Sequence, residues 1–119
     1  MKVLIVESNF DLCQIWRRHL TRLDITARCA HTQAEAVAAI RDGAFDAIVL
    51  DLVLTDGSAF AVADYASYRL PEARVIFVTN TTFFSDGSIF NHMPNACAFI
   101  ESQTPPEDLA AIVEHYAAT

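Results

Sequence analysis

Asp46-Ala47-Ile48-Val49-Leu50-Asp51-Leu52-Val53-Leu54-Thr55-Asp56-Gly57 decides the fold. Residues 47–50 are a short apolar run, which reads as a buried strand. The run ends in Asp51, a carboxylate that is costly to desolvate unless something pairs with it. Asp56-Gly57 then marks a turn. Two other runs have the same form. Val3-Leu4-Ile5-Val6 ends in Glu7, and Val75-Ile76-Phe77-Val78 ends in Thr79. In a parallel α/β sheet the carboxyl ends of the strands share one edge, and ligands bind there. Two acids and a hydroxyl on that edge describe a site for a cation and a phosphoryl group.

Outward from these runs, strands are expected over 3–6, 25–30, 47–50, 74–78 and 96–100, alternating with amphipathic helices. The first helix covers 10–23, with Leu12, Ile15, Trp16, Leu20 and Leu23 at helical spacing. The second opens on a Thr32–Glu35 capping box. It turns Ala34, Val37, Ala38 and Ile40 inward and stops at a glycine terminator, Gly43. The third runs to Leu70, where Pro71 ends it. A short fourth helix is expected over 88–92, within the irregular stretch 81–95. The last starts at a Thr104–Glu107 capping box, with Pro105 at the first helical position, and runs to Tyr116. The class is therefore α/β: a flavodoxin-like, doubly wound five-stranded parallel sheet of order 2-1-3-4-5 with five helices.

Composition narrows the function classes. The 119 residues suit one domain with a real core. Hydrophobic content of 53% against 19% charged residues argues against disorder. No apolar run approaches the roughly 20 residues of a membrane span. The first residues lack a signal-peptide layout, so the expected localisation is cytoplasmic. A net charge of −7 argues against nucleic-acid binding. A nucleotide-binding enzyme is disfavoured too. No GxGxxG or Walker lysine is present, and Glu7-Ser8-Asn9-Phe10 has no glycine to admit a phosphate. Cys13, Cys29 and Cys97 are odd in number and widely spaced. They read as core or near-core residues rather than a disulfide framework or a zinc site. His19, His31, His92 and His115 lack ligand spacing and read as surface or boundary residues.

Three segments together resemble the receiver domain of bacterial response regulators, the CheY-like family. Val3-Leu4-Ile5-Val6-Glu7-Ser8-Asn9 looks like the family's first strand and acidic pair. The stretch 46–57 looks like its phosphoacceptor strand and loop. Pro71-Glu72-Ala73-Arg74-Val75-Ile76-Phe77-Val78-Thr79 looks like its fourth strand with the switch threonine. The resemblance covers essentially the whole chain, 1–119, as a single non-enzymatic receiver domain. It implies that Asp51 accepts a phosphoryl group from a histidine kinase or phosphotransfer protein. It implies magnesium held by Asp51, an acid of the first loop (Glu7) and the Val53 backbone carbonyl. Thr79 and Phe99 would be the switch pair. Signalling, to a partner or within a homodimer, would use the fourth helix, fifth strand and fifth helix, where Phe83, Phe84 and Phe90 lie close by in sequence.

The departures bear on the same site. Ser8 stands where the family has a second acid, and Ser102 where it has a strand-five lysine. Gln103 and Thr55 replace prolines, and Ala59 replaces a glycine. Lys2 is the only lysine, and it precedes the first strand. Arg74 also lies at an amino edge. The other arginines fall on helices, apart from Arg28 in the second strand. A phosphoryl group at Asp51 would find no protein cation, and phosphoryl transfer depends on positioned positive charge. Magnesium binding is expected to be weak, because Ser8 supplies at best a neutral ligand. Two readings follow: an atypical phosphorelay receiver, or a phosphorylation-independent interaction or dimerisation module on the same fold.

Overall fold

The computed structural model describes residues 1–79 and 96–118. In chain order the elements are β1 (Lys2–Val6), α1 (Phe10–Thr21), β2 (Thr26–Ala30), α2 (Gln33–Asp42), β3 (Ala47–Asp51), α3 (Ala59–Arg69), β4 (Arg74–Thr79), β5 (Ala96–Glu101) and α4 (Pro106–Ala117). The strands form one parallel sheet of order β2-β1-β3-β4-β5. This is the order expected from the sequence. The central strands are apolar without alternation because both faces are covered. Val3, Ile5, Val49, Ile76 and Val78 pack under α1 and α4, with Trp16, Leu20, Leu109 and Val113. Leu4, Val6, Ile48, Leu50, Val75 and Phe77 pack under α2 and α3, with Ile40 and Val62. Each such buried side chain contributes about 1.5–3 kcal/mol relative to exposure.

Several local expectations change. α1 ends at Thr21, so Leu23 lies outside it and is 37% exposed. The chain reverses through Asp24 at φ 62°, a left-handed conformation that aspartate tolerates better than most residues. Thr32 does cap α2, accepting the Glu35 amide at 3.1 Å, but the Glu35 carboxylate accepts from the His31 amide at 3.0 Å. The buried stripe of α2 is Ala36, Ala39 and Ile40, while Ala34 is exposed. In so alanine-rich a helix the sequence leaves the phase weakly marked, and packing against α3 and the sheet sets it. Gly43 ends α2 in extended backbone (φ −137°, ψ 179°), not in the left-handed form of a glycine terminator. The Thr104 cap is absent: α4 begins at Pro106, capped at Pro105 without a side-chain bond. The helix is capped one residue later than the motif requires, so Thr104 stands before the cap position.

Four helices lie among the described residues; the expected short helix over 88–92 lies outside them, as do Phe83, Phe84 and Phe90. The cysteines also differ from expectation. Cys13 on α1 and Cys29 on β2 form a disulfide, with Cα atoms 6.3 Å apart, and Cys97 is free. A separation of 16 residues gives no signal in the sequence; α1 packing over β2 brings the two together.

Candidate functional site

Register assembles the site. Val6 pairs with Leu50, so Glu7 and Asp51 leave neighbouring strands side by side. Asp51 pairs with Val78, and Thr79, the last residue of β4, pairs with Glu101. Ser102 follows β5 directly, and its amide donates to the Thr79 carbonyl at 2.9 Å. Glu7, Asp51, Thr79 and Ser102 therefore stand along one carboxyl edge.

Glu7 is buried at 4% exposure, Thr79 at 5%, and Asp51 is half-buried. The Glu7 amide donates to the Ala30 carbonyl at 3.0 Å. Its Oε1 accepts the Asn9 amide at 3.1 Å. Its carbonyl lies 2.9 Å from His31 Nδ1, which must be the donor because a carbonyl only accepts. Oε2 is buried and has no hydrogen-bond partner among the described residues. Burial, and then the Asp51 carboxylate beside it, push the Glu7 carboxyl from its ordinary range up to about 8; the Asn9 amide pulls weakly the other way. Near neutral pH Glu7 holds a proton. An unpartnered carboxyl oxygen beside a second carboxylate is also a donor set that a hard cation takes.

The loop after β3 is tied down from two sides. Asp51 Oδ1 accepts the Val53 amide at 2.9 Å, and the Leu52 amide donates to the Val78 carbonyl at 2.9 Å. Ser8 Oγ accepts the Thr55 amide at 2.9 Å. Gln33 grips the next turn: its amide donates to the Asp56 carbonyl at 3.0 Å, and its Oε1 accepts the Ser58 amide at 2.8 Å. Gly57 sits at φ 108°, and a Cβ there would collide with the Gln33 side chain. Ser58 Oγ then accepts the Ala61 amide at 3.3 Å, and Ala59 opens α3.

Phe99 lies opposite Phe77 in the β4–β5 pair, and the rings stack at 5.6 Å between centroids. The contacts of the basic side chains lie elsewhere. Lys2 sits over the Phe45 ring, Arg41 pairs with Asp42, Arg69 reaches the Arg41 carbonyl, and Arg17 reaches the Ala27 carbonyl. No basic side chain is among the groups that perturb Glu7. Among the described residues no three His, Cys, Asp or Glu side chains converge on one metal position.

Sequence reasoning missed His31, Gln33 and Asn9 at this edge. His31 and Gln33 follow β2, whose pairing with β1 sets them beside Glu7 and the β3–α3 loop. That β2 ends on the same edge was the available signal.

No protein-family model and no curated protein matches the chain. Solved structures do. A CheY-like response regulator receiver domain protein from Methanospirillum hungatei is 20% identical, with TM-score 0.88, covering 98% of this chain and 93% of that one. The non-phosphorylated HemR receiver domain from Leptospira biflexa is 24% identical, with TM-score 0.87, covering 99% and 94%. The N-terminal domain of a response regulator/sensory box/GGDEF three-domain protein from Carboxydothermus hydrogenoformans is 23% identical, with TM-score 0.84, covering 99% and 94%. Over nearly its whole length, the chain has the fold of a CheY-like response regulator receiver domain.

Proposed function

We propose that residues 1–119 form one atypical receiver domain of two-component phosphorelay signalling, with Asp51 at the phosphoacceptor position. The observation that carries this reading is the placement of Asp51 at the end of β3, between Glu7 on one neighbouring strand and Thr79 on the other. Asp51 would attack the phosphorus of a phosphohistidine on a histidine kinase or phosphotransfer protein. Thr79 stands where its hydroxyl could meet the transferred oxygens, and Ser102 stands where a cation would otherwise do so. Magnesium would be held by Glu7, Asp51 and the Val53 carbonyl; when bound it would offset the charge gathered there. Ser8 is a poor fourth ligand, because its hydroxyl already accepts the Thr55 amide. Glu7 must also release its proton before it can bind a cation, so affinity at neutral pH is weak.

The partner surface in this reading is the groove between β5 and α4, the expected fifth helix. Ala98, Phe99, Ala111, Ile112, His115 and Tyr116 line about 430 Å³ there. It would receive a signalling partner or a second copy. No helix among the described residues is long and apolar enough to cross a membrane, and the proposed localisation is cytoplasmic.

A second reading rests on Ser102 and Ser8, which stand where the resemblance calls for a lysine and a second acid. In that reading the fold works as an interaction or dimerisation module without phosphate. Incubation with acetyl phosphate and magnesium, read by intact mass, separates the two. The receiver reading expects a phosphoryl adduct in the wild type that Asp51→Asn abolishes. No adduct at any magnesium concentration leaves the interaction module.

A further inference from the structure

A second chemical feature lies away from the carboxylates, where α1 packs over the edge strand β2. Cys13 is fully buried among Val3, Ile5, Trp16 and Leu20. Its sulfur lies 3.8 Å from the Ile5 carbonyl. Cys29, its disulfide partner, is only half-buried. Cys29 lines an open pocket of about 260 Å³ together with Gln14, Arg17, Ala27 and Arg28. The pocket is organised: Arg17 Nε donates to the Ala27 carbonyl at 3.2 Å and its Nη1 to Gln14 Oε1 at 3.1 Å. Gln14 Nε2 in turn points at Cys29 Sγ from 4.0 Å. In a chain of net charge −7, two arginines beside one reachable sulfur make a local positive field.

We infer that the Cys13–Cys29 pair is a thiol–disulfide exchange site, approached at Cys29 by a low-molecular-mass thiol that carries carboxylates, of the glutathione class. Access decides which sulfur is attacked, since Cys13 offers no exposed surface. The incoming thiol loses its proton, and its thiolate attacks Cys29 Sγ. A new S–S bond joins the small thiol to Cys29 as the Cys13–Cys29 bond breaks. The electron pair leaves on Cys13 Sγ, which takes up a proton, and the resulting thiol is placed to donate to the Ile5 carbonyl. A second small thiol attacks the mixed disulfide. It leaves the protein dithiol and the oxidised dimer of the small thiol, so two electrons and two protons balance. Arg17 and Arg28 act on the carboxylates of the approaching thiol and take no part in the bond changes.

Cys97 is the internal control. It is half-buried, its sulfur lies 3.6 Å from the Val75 carbonyl, and burial pushes its thiol up from the usual range. The small thiolate fraction makes it slow to exchange.

The test uses the whole chain, equilibrated in glutathione buffers of varied reduced-to-oxidised ratio, quenched with acid, and read by intact mass and peptide mapping. The expected result is a reversible change between disulfide and dithiol confined to Cys13 and Cys29, with the mixed disulfide found on Cys29. In Cys13→Ser, oxidised glutathione should modify Cys29 well before Cys97. Arg17→Glu should slow the glutathione reaction about fivefold while leaving the reaction with neutral 2-mercaptoethanol nearly unchanged. Two free thiols at Cys13 and Cys29 in the most oxidising buffer would overturn the inference. So would an adduct mainly on Cys97, or equal effects of Arg17→Glu on both reagents. None of these outcomes depends on phosphorylation of Asp51.

Discussion

Ser8 Oγ accepts the Thr55 amide at 2.9 Å, joining the loop after β1 to the loop after β3. Ser8 is therefore a clamp on the segment that follows Asp51. Ser8→Ala should cost about 1 kcal/mol in urea unfolding and speed hydrogen exchange at the Thr55 amide. Ser8→Asp adds a hard oxygen ligand and should tighten magnesium binding about tenfold by calorimetry. Unchanged exchange at Thr55 in Ser8→Ala would show that the clamp carries no weight.

Glu7 gives the stability a definite pH dependence. Its carboxyl is raised on folding from its ordinary 4.5 to about 8, by burial first and then by Asp51. Between those values the folded state holds a proton that the unfolded chain has released. The stabilising contribution is thus full below the unfolded value and is lost as pH rises through about 8. Glu7→Gln should flatten this decline and make the protein more stable than wild type above that pH. Urea titrations across the range, in metal-free buffer, measure both curves.

The turn after β3 depends on Gly57. Its φ of 108° excludes ordinary side chains, and Gln33 fills the space a Cβ would take. Gly57→Ala should lower stability by about 1–3 kcal/mol. Adding Gln33→Ala should restore little, because the atom nearest the new Cβ is Gln33 Cβ, which alanine keeps, and the backbone conformation is unchanged.

Much of this was legible in the sequence because the strands are buried on both faces. Short continuous apolar runs bounded by turn residues mark such strands, and the residue that breaks each run, Glu7, Asp51 or Thr79, falls at the carboxyl edge of the sheet. Features set by partners far along the chain were not legible. His31 and Gln33 reach the site only through the β1–β2 pairing. Cys13 and Cys29 meet only because α1 lies over β2. The Thr104 capping motif misled for a local reason, since the helix is capped one residue later, at Pro105, which leaves Thr104 outside the cap position. Gly43 fits a helix terminator by residue type, yet the chain leaves α2 directly in extended form.

The central claim is that Asp51 occupies a phosphoacceptor position whose reactivity is limited by the missing cation at Ser102. Ser102 is tied by its amide to Thr79, at the end of β4 next to Asp51, so a lysine there would start from the right edge of the sheet. The decisive measurement is the phosphorylation yield with acetyl phosphate and magnesium, followed by intact mass for wild type, Ser102→Lys and Ser102→Lys/Asp51→Asn. The account predicts a low yield in wild type, a yield raised about tenfold by Ser102→Lys, and none in the double variant. A stable, stoichiometric adduct on wild type that Ser102→Lys does not increase would contradict it.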